Sequence, residues 1–512
     1  MKSMKRTLAL LIALLMVVSI MPSFAEAKAP IKISLFYSDN ATLPFKEDWL
    51  TVKTIQEKYN VELSFEVIPL SDYAQKVSQA LDTGINTPDV ILYQSTAGAN
   101  ASYALNGAIV PISDYMDFTP NFNERVADFA LEEEVGRLAL QDGKRYYLPA
   151  LFDKPFYDAG LIMREDLLEK LGLKAPTNFD ELYDVLKAFK AEYPDSFPFT
   201  ILAGPRVLFR FTMPSYGVSV GANGAGGSRV LSWNYETNEY FAGATSEEYR
   251  AYVTYLNKLY AEGLLDPEMA DPIDGDKWTQ KLATGMAFAT YAYYDQIGGV
   301  QSAATEEGFK LQMYPALSGP AGAHHQQKNR TGSGIIFPAA TAKRDDFEDV
   351  VRKIDEIFFS KEASTIWCIG VEDTTYTMDG DKIVYSDEIL NSPDGIYKSM
   401  QLKYGCGSDV TQMVWVNARE MTKYDENYSQ INEAVAAMDN VIQYIPPSPK
   451  FDDMQAEEAN FLMTPLADNF NVWVDAFITG KKSVETDWDA YVKEMEDLQI
   501  NDFLALYNDN LN

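Results

Sequence analysis

The sequence predicts an α/β protein built on a parallel, doubly wound sheet, and three observations carry that prediction. Apolar strands and amphipathic helices alternate from Ile31 onward, which calls for parallel strands joined by right-handed crossovers. Val90 to Tyr93, introduced by Pro88, is a continuous apolar run of the kind buried on both faces of a sheet. Finally, 46% of the 512 residues are apolar and no tract is of low complexity, so a sizeable core and two or three domains are expected.

Taken in order, Ile31 to Tyr37 reads as a strand, and Asp48 to Tyr59 as a helix with Trp49, Val52, Ile55 and Tyr59 on one face. Val61 to Ile68 is the next strand. Ser71 is placed to cap a helix running to Leu81, and Gly84 ends it. In such sheets ligands sit beyond the carboxyl ends of the strands, which points to the loops Phe36 to Asn40 and Gln94 to Asn100. A turn at Asp142, Gly143 and Lys144 then opens an aromatic strand ending in Pro149. The charged, aromatic stretch Phe152, Asp153, Lys154, Phe156 and Tyr157 reads as a connector. Gly160 to Met163 is a strand and Arg164 to Leu171 a short helix stopped by Gly172. Thr177, three residues before Asp180, makes a box-like start for a helix carrying Phe179, Leu182, Leu186 and Phe189 at helical spacing. A glycine-rich loop, Gly217 to Gly227, precedes a hairpin around Trp233 to Tyr240. Thr245 and Glu248 form the capping box of a helix with Tyr249, Val253, Leu256 and Tyr260 inward, ended by Gly263. Further helices are expected over Phe347 to Phe359, Val435 to Ile442, Phe461 to Ile478 and Trp488 to Leu498.

The start of the chain, with Lys2, Lys5 and Arg6, an apolar run from Leu8 to Ile20, and Ala25-Glu26-Ala27, reads as a secretory signal peptide cleaved near Ala27. The apolar run is shorter than the roughly 20 residues a spanning helix needs. A formal charge of −32 would repel nucleic acid and anionic lipid and favours solubility. In an oxidising compartment the two cysteines, Cys368 and Cys406, form a disulfide or remain as two buried thiols.

Leu161 to Lys190 resembles the lobe-crossing segment of the extracellular solute-binding proteins, family 1, the carbohydrate-binding components of ABC importers. Pro88-Asp89-Val90-Ile91, Tyr249 to Pro267, Gly370 to Asp379, Phe477-Ile478-Thr479-Gly480 and Trp488-Asp489-Ala490-Tyr491-Val492 extend the resemblance along nearly the whole chain. It implies a two-lobe, periplasmic-binding-protein-like fold of type II, with the ligand cleft between lobes joined by a hinge. The expected division is residues 1–27 as signal peptide, 28–153 plus about 285–330 as the first lobe, 154–284 plus about 331–431 as the second, and 432–512 as helices packing on the lobes. Lys281 to Tyr294 resembles the family's strand returning to the first lobe, and Ile335 to Pro338 is read as a second crossing. The resemblance further implies an oligosaccharide ligand, ABC permease subunits in the membrane as partners, and a monomer. Gram-positive members often carry a lipobox cysteine. No cysteine precedes Cys368, so a periplasmic or freely secreted protein is expected. A sensor subunit presenting ligand to a receptor kinase, or a secreted polysaccharide-active enzyme, are the alternatives.

A sugar cleft needs aromatic platforms for the apolar faces of the rings and polar groups for the hydroxyls. The candidates on strand-end or crossing loops are Tyr37, Asp39, Gln94, Phe156, Tyr157, Tyr291, Tyr293 and Tyr294; strand alternation puts Tyr291 and Tyr293 on one face and Tyr294 on the other. Trp278, Trp367 and Trp415 are weighed as cleft or structural residues. Arg206, with Arg210, lies in a loop opened by Gly204-Pro205 and would pair with a uronic-acid carboxylate, or else form solvated salt bridges.

Gly217, Ser219 and Gly221 match the serine-hydrolase elbow pattern, but the glycine-rich run that follows cannot easily supply the helix the elbow needs. His324 and His325 have no partners at zinc-site spacing. The calcium loop that some family members carry after the helix ending here near Lys190 has no counterpart in AEYPDSFPF, and Asp379 and Asp381 are read as a tight turn. No catalytic residue, metal or cofactor is expected.

Overall fold

The computed structural model describes residues 29–95, 99–153, 159–202, 205–221, 228–269, 275–293, 296–326, 330–392, 394–415, 442–443 and 446–511. The principal elements, in chain order, are β1 (Ile31–Asp39), α1 (Leu50–Tyr59), β2 (Val61–Pro69), α2 (Leu70–Thr83), β3 (Val90–Gln94), β4 (Tyr147–Phe152), β5 (Ala159–Arg164), α3 (Phe179–Glu192), β6 (Phe199–Ile201), α4 (Pro205–Thr212), α5 (Glu247–Ala261), β7 (Ala289–Tyr293), β8 (Leu311–Tyr314), β9 (Thr331–Ile336), α6 (Phe347–Phe359), α7 (Lys361–Cys368), β10 (Val414–Trp415), α8 (Asp453–Ile478), α9 (Trp488–Asp497) and α10 (Ile500–Asp509).

Two sheets define two lobes. The first has the order β10-β4-β9-β3-β1-β2 and the second β8-β5-β7-β6. In the first, β1 is parallel to both β2 and β3, and β10 is parallel to β4. Only β9 runs against its neighbours β3 and β4, because it enters from the other lobe. The second sheet is mixed: β5 is antiparallel to β7 and β8, while β6 is parallel to β7. The expectation of a wholly parallel sheet therefore holds for β1 to β3 and fails where the chain re-enters.

The two returning segments fall in the opposite lobes from those expected. β7 and β8 complete the second sheet: Tyr291 is in register with Leu161 on one side and Ile201 on the other, and its ring lies in the second core. β9, α6 and α7 belong to the first lobe, where Ile335, Ile354, Phe358 and Trp367 pack with Leu35, Val90 and Leu151. So the described residues of 285–326 join the second lobe and those of 331–415 the first. An apolar strand pattern specifies burial on both faces, not which sheet supplies the neighbours.

α8 to α10 cover the second lobe, burying Trp473, Phe477, Trp488, Tyr491 and Phe503 in one core with Tyr249 and Leu256. The expected helix Val435 to Ile442 lies largely outside the described residues. Two caps fall one residue from their expected places, and a third fails: Ser71 lies inside α2, whose N-cap is Pro69 with no side-chain cap bond. Asn178, not Thr177, accepts the Glu181 amide, while the amide and hydroxyl of Thr177 both donate to Glu181 Oε2 at 2.8 Å. Ser246, not Thr245, caps α5. Gly172 ends its helix in the left-handed conformation, φ +65°, as expected. The segment Pro205–Thr212, read as a loop, is the helix α4; a proline in the first turn costs no hydrogen bond.

Candidate functional site

Because β1, β3, β4 and β10 run in one direction, their carboxyl ends lie along one edge of the first sheet. That edge carries an aromatic pair. Phe152 ends β4 and Trp415 ends β10 directly opposite it, so parallel pairing sends both rings to the same face. Their centroids are 5.4 Å apart with planes 15° from parallel, and both residues are half-buried. The ladder is closed by Asp153 N–H donating to the Trp415 carbonyl at 3.0 Å. Two glycines of β9 make room for this arrangement. A Cβ on Gly332 would stand 3.2 Å from Phe152 Cε2, and one on Gly334 would lie 1.9 Å from the Leu148 carbonyl oxygen. Arg330 braces the corner, its Nη2 donating to the carbonyls of Phe129 and Asp153 at 2.6 and 2.7 Å.

On the same edge, across β9 from β4, Tyr93 near the end of β3 has φ +55°, a left-handed conformation that costs a bulky residue energy and collects at functional positions. It is 36% exposed. Partial burial raises its phenol pKa, with a smaller contribution from the Asp409 carboxylate. Asp409 is exposed on the loop that leads into β10.

The sequence candidates divide. Asp39 is at this edge, but its Oδ1 accepts the Phe45 amide at 2.8 Å and shapes the loop after β1. Gln94 is also at the edge, its Oε1 accepting from Asn100 Nδ2 at 2.9 Å. Tyr37 is not a surface group: it is 2% exposed, bonded through its hydroxyl to Ser408 Oγ at 2.8 Å, and burial pushes its pKa up. Tyr291 is likewise 2% exposed, its ring edge-on to Phe199 in the second core. Both are packing residues. Trp278 and Trp367 are fully buried and structural, whereas Trp415 is at the edge.

On the second lobe, Tyr293 ends β7 half-buried, its ring edge-on to Phe211 at 6.1 Å. The Arg210 guanidinium lies 5.2 Å from the centroid of the same Phe211 ring. Position 206 is one helical turn before Arg210 on α4, which puts the two on one side of the helix. The Arg206 side chain and the residues Phe156, Tyr157 and Tyr294 lie outside the described residues.

Ser219 of the elbow-like pattern follows a short 3-10 helix, Met213–Tyr216, instead of a strand, and its amide donates to Ser232 Oγ at 2.9 Å. The His324 ring bonds to the Ala321 carbonyl at 2.7 Å. Among the described residues no group of three or more His, Cys, Asp or Glu side chains is placed to hold a metal ion, and no helix is long and apolar enough to cross a membrane.

Tyr93 and Phe152 were missing from the sequence candidates. Tyr93 carried a usable signal, since it closes an apolar run whose far end should meet ligand. Phe152 did not, because its partner in the stack is Trp415, remote in sequence.

Comparison with known proteins gives a consistent picture. The family model of bacterial extracellular solute-binding proteins matches residues 51–346. The polygalacturonan/rhamnogalacturonan-binding protein YtcQ of Bacillus subtilis (strain 168) is 23% identical over 341 residues, 65% of this chain and 64% of its own length. The fructooligosaccharide ABC transporter substrate-binding protein FusA of Streptococcus pneumoniae serotype 4 is 23% identical over 483 residues, 85% of this chain and 82% of its own. The chain thus spans just under two thirds of the length of the first of these relatives. Among solved structures, the alginate-binding protein AlgQ2, crystallised without calcium ion, superposes with a TM-score of 0.76 at 19% identity, covering 94% of this chain and 98% of that one.

Proposed function

The chain belongs to the bacterial extracellular solute-binding proteins, and from that premise we propose that it is the substrate-binding component of an ABC importer that takes an oligosaccharide between its lobes. The observation that carries the reading is the half-buried Phe152–Trp415 stack at the carboxyl edge of the first sheet, an edge that also carries Tyr93 with Asp409 near it. Aromatic faces match the apolar C–H faces of sugar rings, and the neighbouring carboxylate and amide groups, Asp409 and Gln94, suit their hydroxyls. The relatives named for polygalacturonan, fructooligosaccharide and alginate support a glycan as the ligand class.

The mechanism is binding, not catalysis. The open form admits the glycan, contacts to both walls favour the closed form, and the lobes rotate about the segments that cross between β4 and β5 and between β8 and β9. Tyr293 and Arg210 are the second wall's contribution, and Arg210 with Arg206 would favour a uronic-acid unit. The closed protein then presents its cargo to the membrane permease subunits. Residues 1–27 serve as the export signal, cleaved near Ala27, and the mature protein works as a monomer.

Thermal unfolding of the mature protein against neutral and uronic oligosaccharides tests this. A ligand at a hundred times its dissociation constant adds about 2.7 kcal/mol of stability, seen as a raised midpoint with the glycan recovered intact. Consumption of the glycan would replace binding with catalysis, and a flat response across the panel would remove oligosaccharides as the ligand class.

A further inference from the structure

Cys368 closes α7 and is half-buried, while Cys406 follows the helix Ile396–Tyr404 and is fully buried; both are thiols in this structure. The Gly407 amide donates to the Trp367 carbonyl at 2.8 Å. In a trans peptide the carbonyl oxygen of residue 367 lies on the side of the next α-carbon, that of Cys368, and the N–H of residue 407 on the side of the preceding one, that of Cys406. Both cysteine α-carbons therefore flank one hydrogen bond. Such neighbours fall in the range of about 4.4 to 6.8 Å that a disulfide bridges. Both side chains also pack in one small cluster, with Ile369, Ile383, Tyr385, Ile389 and Met400. Burial raises the Cys406 thiol pKa, and Cys368 adds to the shift, as adjacent thiols do.

Cys406 begins the run that leads to the candidate site. Tyr397 donates to the Gly407 carbonyl at 3.0 Å, Ser408 bonds to Tyr37, and Asp409 stands beside Tyr93. Gly405 is pressed against the Trp49 ring, where a Cβ would lie 2.6 Å from Cδ2. We propose that Cys368 and Cys406 are joined by a disulfide in the exported protein, fastening the 405–412 segment of the site's wall to α7.

The chemistry balances with a disulfide oxidant, RSSR, of small-molecule or protein origin. Cys368, the more accessible thiol, loses its proton and attacks one sulfur, releasing RS⁻ and forming a mixed disulfide. Cys406 then loses its proton and attacks the Cys368 sulfur, releasing the second RS⁻. Two thiols become one S–S bond and RSSR is reduced to two RSH.

This rests on export only for its oxidising setting, so the test uses purified mature protein and oxidised glutathione and does not depend on the ligand. After oxidation and denaturation without reductant, alkylation should add no mass. It should add two groups after reduction, and a non-reducing digest should yield one linked pair of peptides, around 368 and 406. Two alkyl groups on the unreduced, denatured protein would overturn the proposal. Reductant should lower the midpoint of the oxidised wild type by several degrees and leave C368S and C406S unchanged. An unaltered wild-type midpoint would overturn the fastening role. Should either serine variant fail to fold, the mass measurement on the wild type still decides.

Discussion

The two lobes close their cores differently. The first is completed by α6 and α7, which follow the re-entering strand β9 and lie over Leu35, Val90 and Ile335. The second borrows its cover from the end of the chain. Tyr249 on α5 packs against Phe470, Trp488 and Tyr491, and Tyr491 donates through its hydroxyl to the Ala244 carbonyl at 2.8 Å. Asn257 Nδ2 on α5 likewise donates to the Phe477 carbonyl, at the end of α8, at 3.0 Å. One lobe is thus covered by helices that directly follow a strand of its own sheet, β9, and the other by C-terminal helices, which begin more than a hundred residues after its last strand, β8.

The largest expected effect follows from removing that cover. A chain ending at Lys450 loses α8 to α10 and with them Trp473, Phe477, Trp488 and Tyr491; the second lobe should unfold while the first keeps a cooperative transition by calorimetry. Survival of both transitions would erase the contrast. Next, Trp488→Ala and Trp367→Ala should each cost about 3–5 kcal/mol, in different lobes. Trp488 lies in the second core, while Trp367 stacks on Phe358 at 5.8 Å and donates to the Ile357 carbonyl at 2.8 Å. Separate transitions moving one at a time would sharpen the division.

Asp355 of α6 receives the amides of Asn121 and Phe122 and the Asn121 side chain, at 2.7 to 2.9 Å, and so caps the helix Pro120–Asp128 from another element. Asp355→Ala should destabilise the first lobe by roughly 2–3 kcal/mol, read from denaturant midpoints. Trp415→Ala should weaken glycan binding about tenfold, on the order of 1 kcal/mol, with little change in midpoint, checked by calorimetric titration.

The smallest effect is one of pH. Glu268 in the second lobe is held at about 2 by hydrogen bonds from Lys281 and Lys277. A depressed carboxylate stabilises above its ordinary pKa of 4.5 and loses that contribution as pH falls toward 2. Glu268 is exposed, so solvent screens the effect. Glu268→Gln should lower the second-lobe midpoint slightly at pH 7 and not at all near pH 2. In the first lobe, burial raises the carboxyl of Asp355, so its contribution is full below the ordinary aspartate range and declines as pH rises through the raised value.

How far the sequence carried these conclusions depends on the range of the interaction. β1 to β3, α1 and α2 were legible, because period and end signals such as Gly84 and Gly172 are local. The caps of α3 and α5 were legible to within one residue, since Thr177 and Asn178 are both competent and only side-chain geometry decides between them, whereas α2 starts at Leu70 after Pro69 with no side-chain cap and leaves Ser71 inside it. The lobe membership of β7 to β9 was not legible, being fixed by pairings such as Tyr291 with Leu161 and Ile336 with Ile91. The candidate site behaved the same way. Asp39 and Gln94 were found by the strand-end rule, Tyr37 and Tyr291 were claimed by the cores, and the Phe152–Trp415 stack exists only through the β4–β10 pairing.

Solution scattering of the mature protein, alone and saturated with whichever glycan raises its midpoint, tests most directly that the ligand is held between two lobes that close on it. The account predicts a smaller radius of gyration with ligand, and the same change lost in Trp415→Ala at a ligand concentration that saturates only the wild type. An unchanged radius at proven saturation of the wild type would contradict closure and move the binding site out of the cleft.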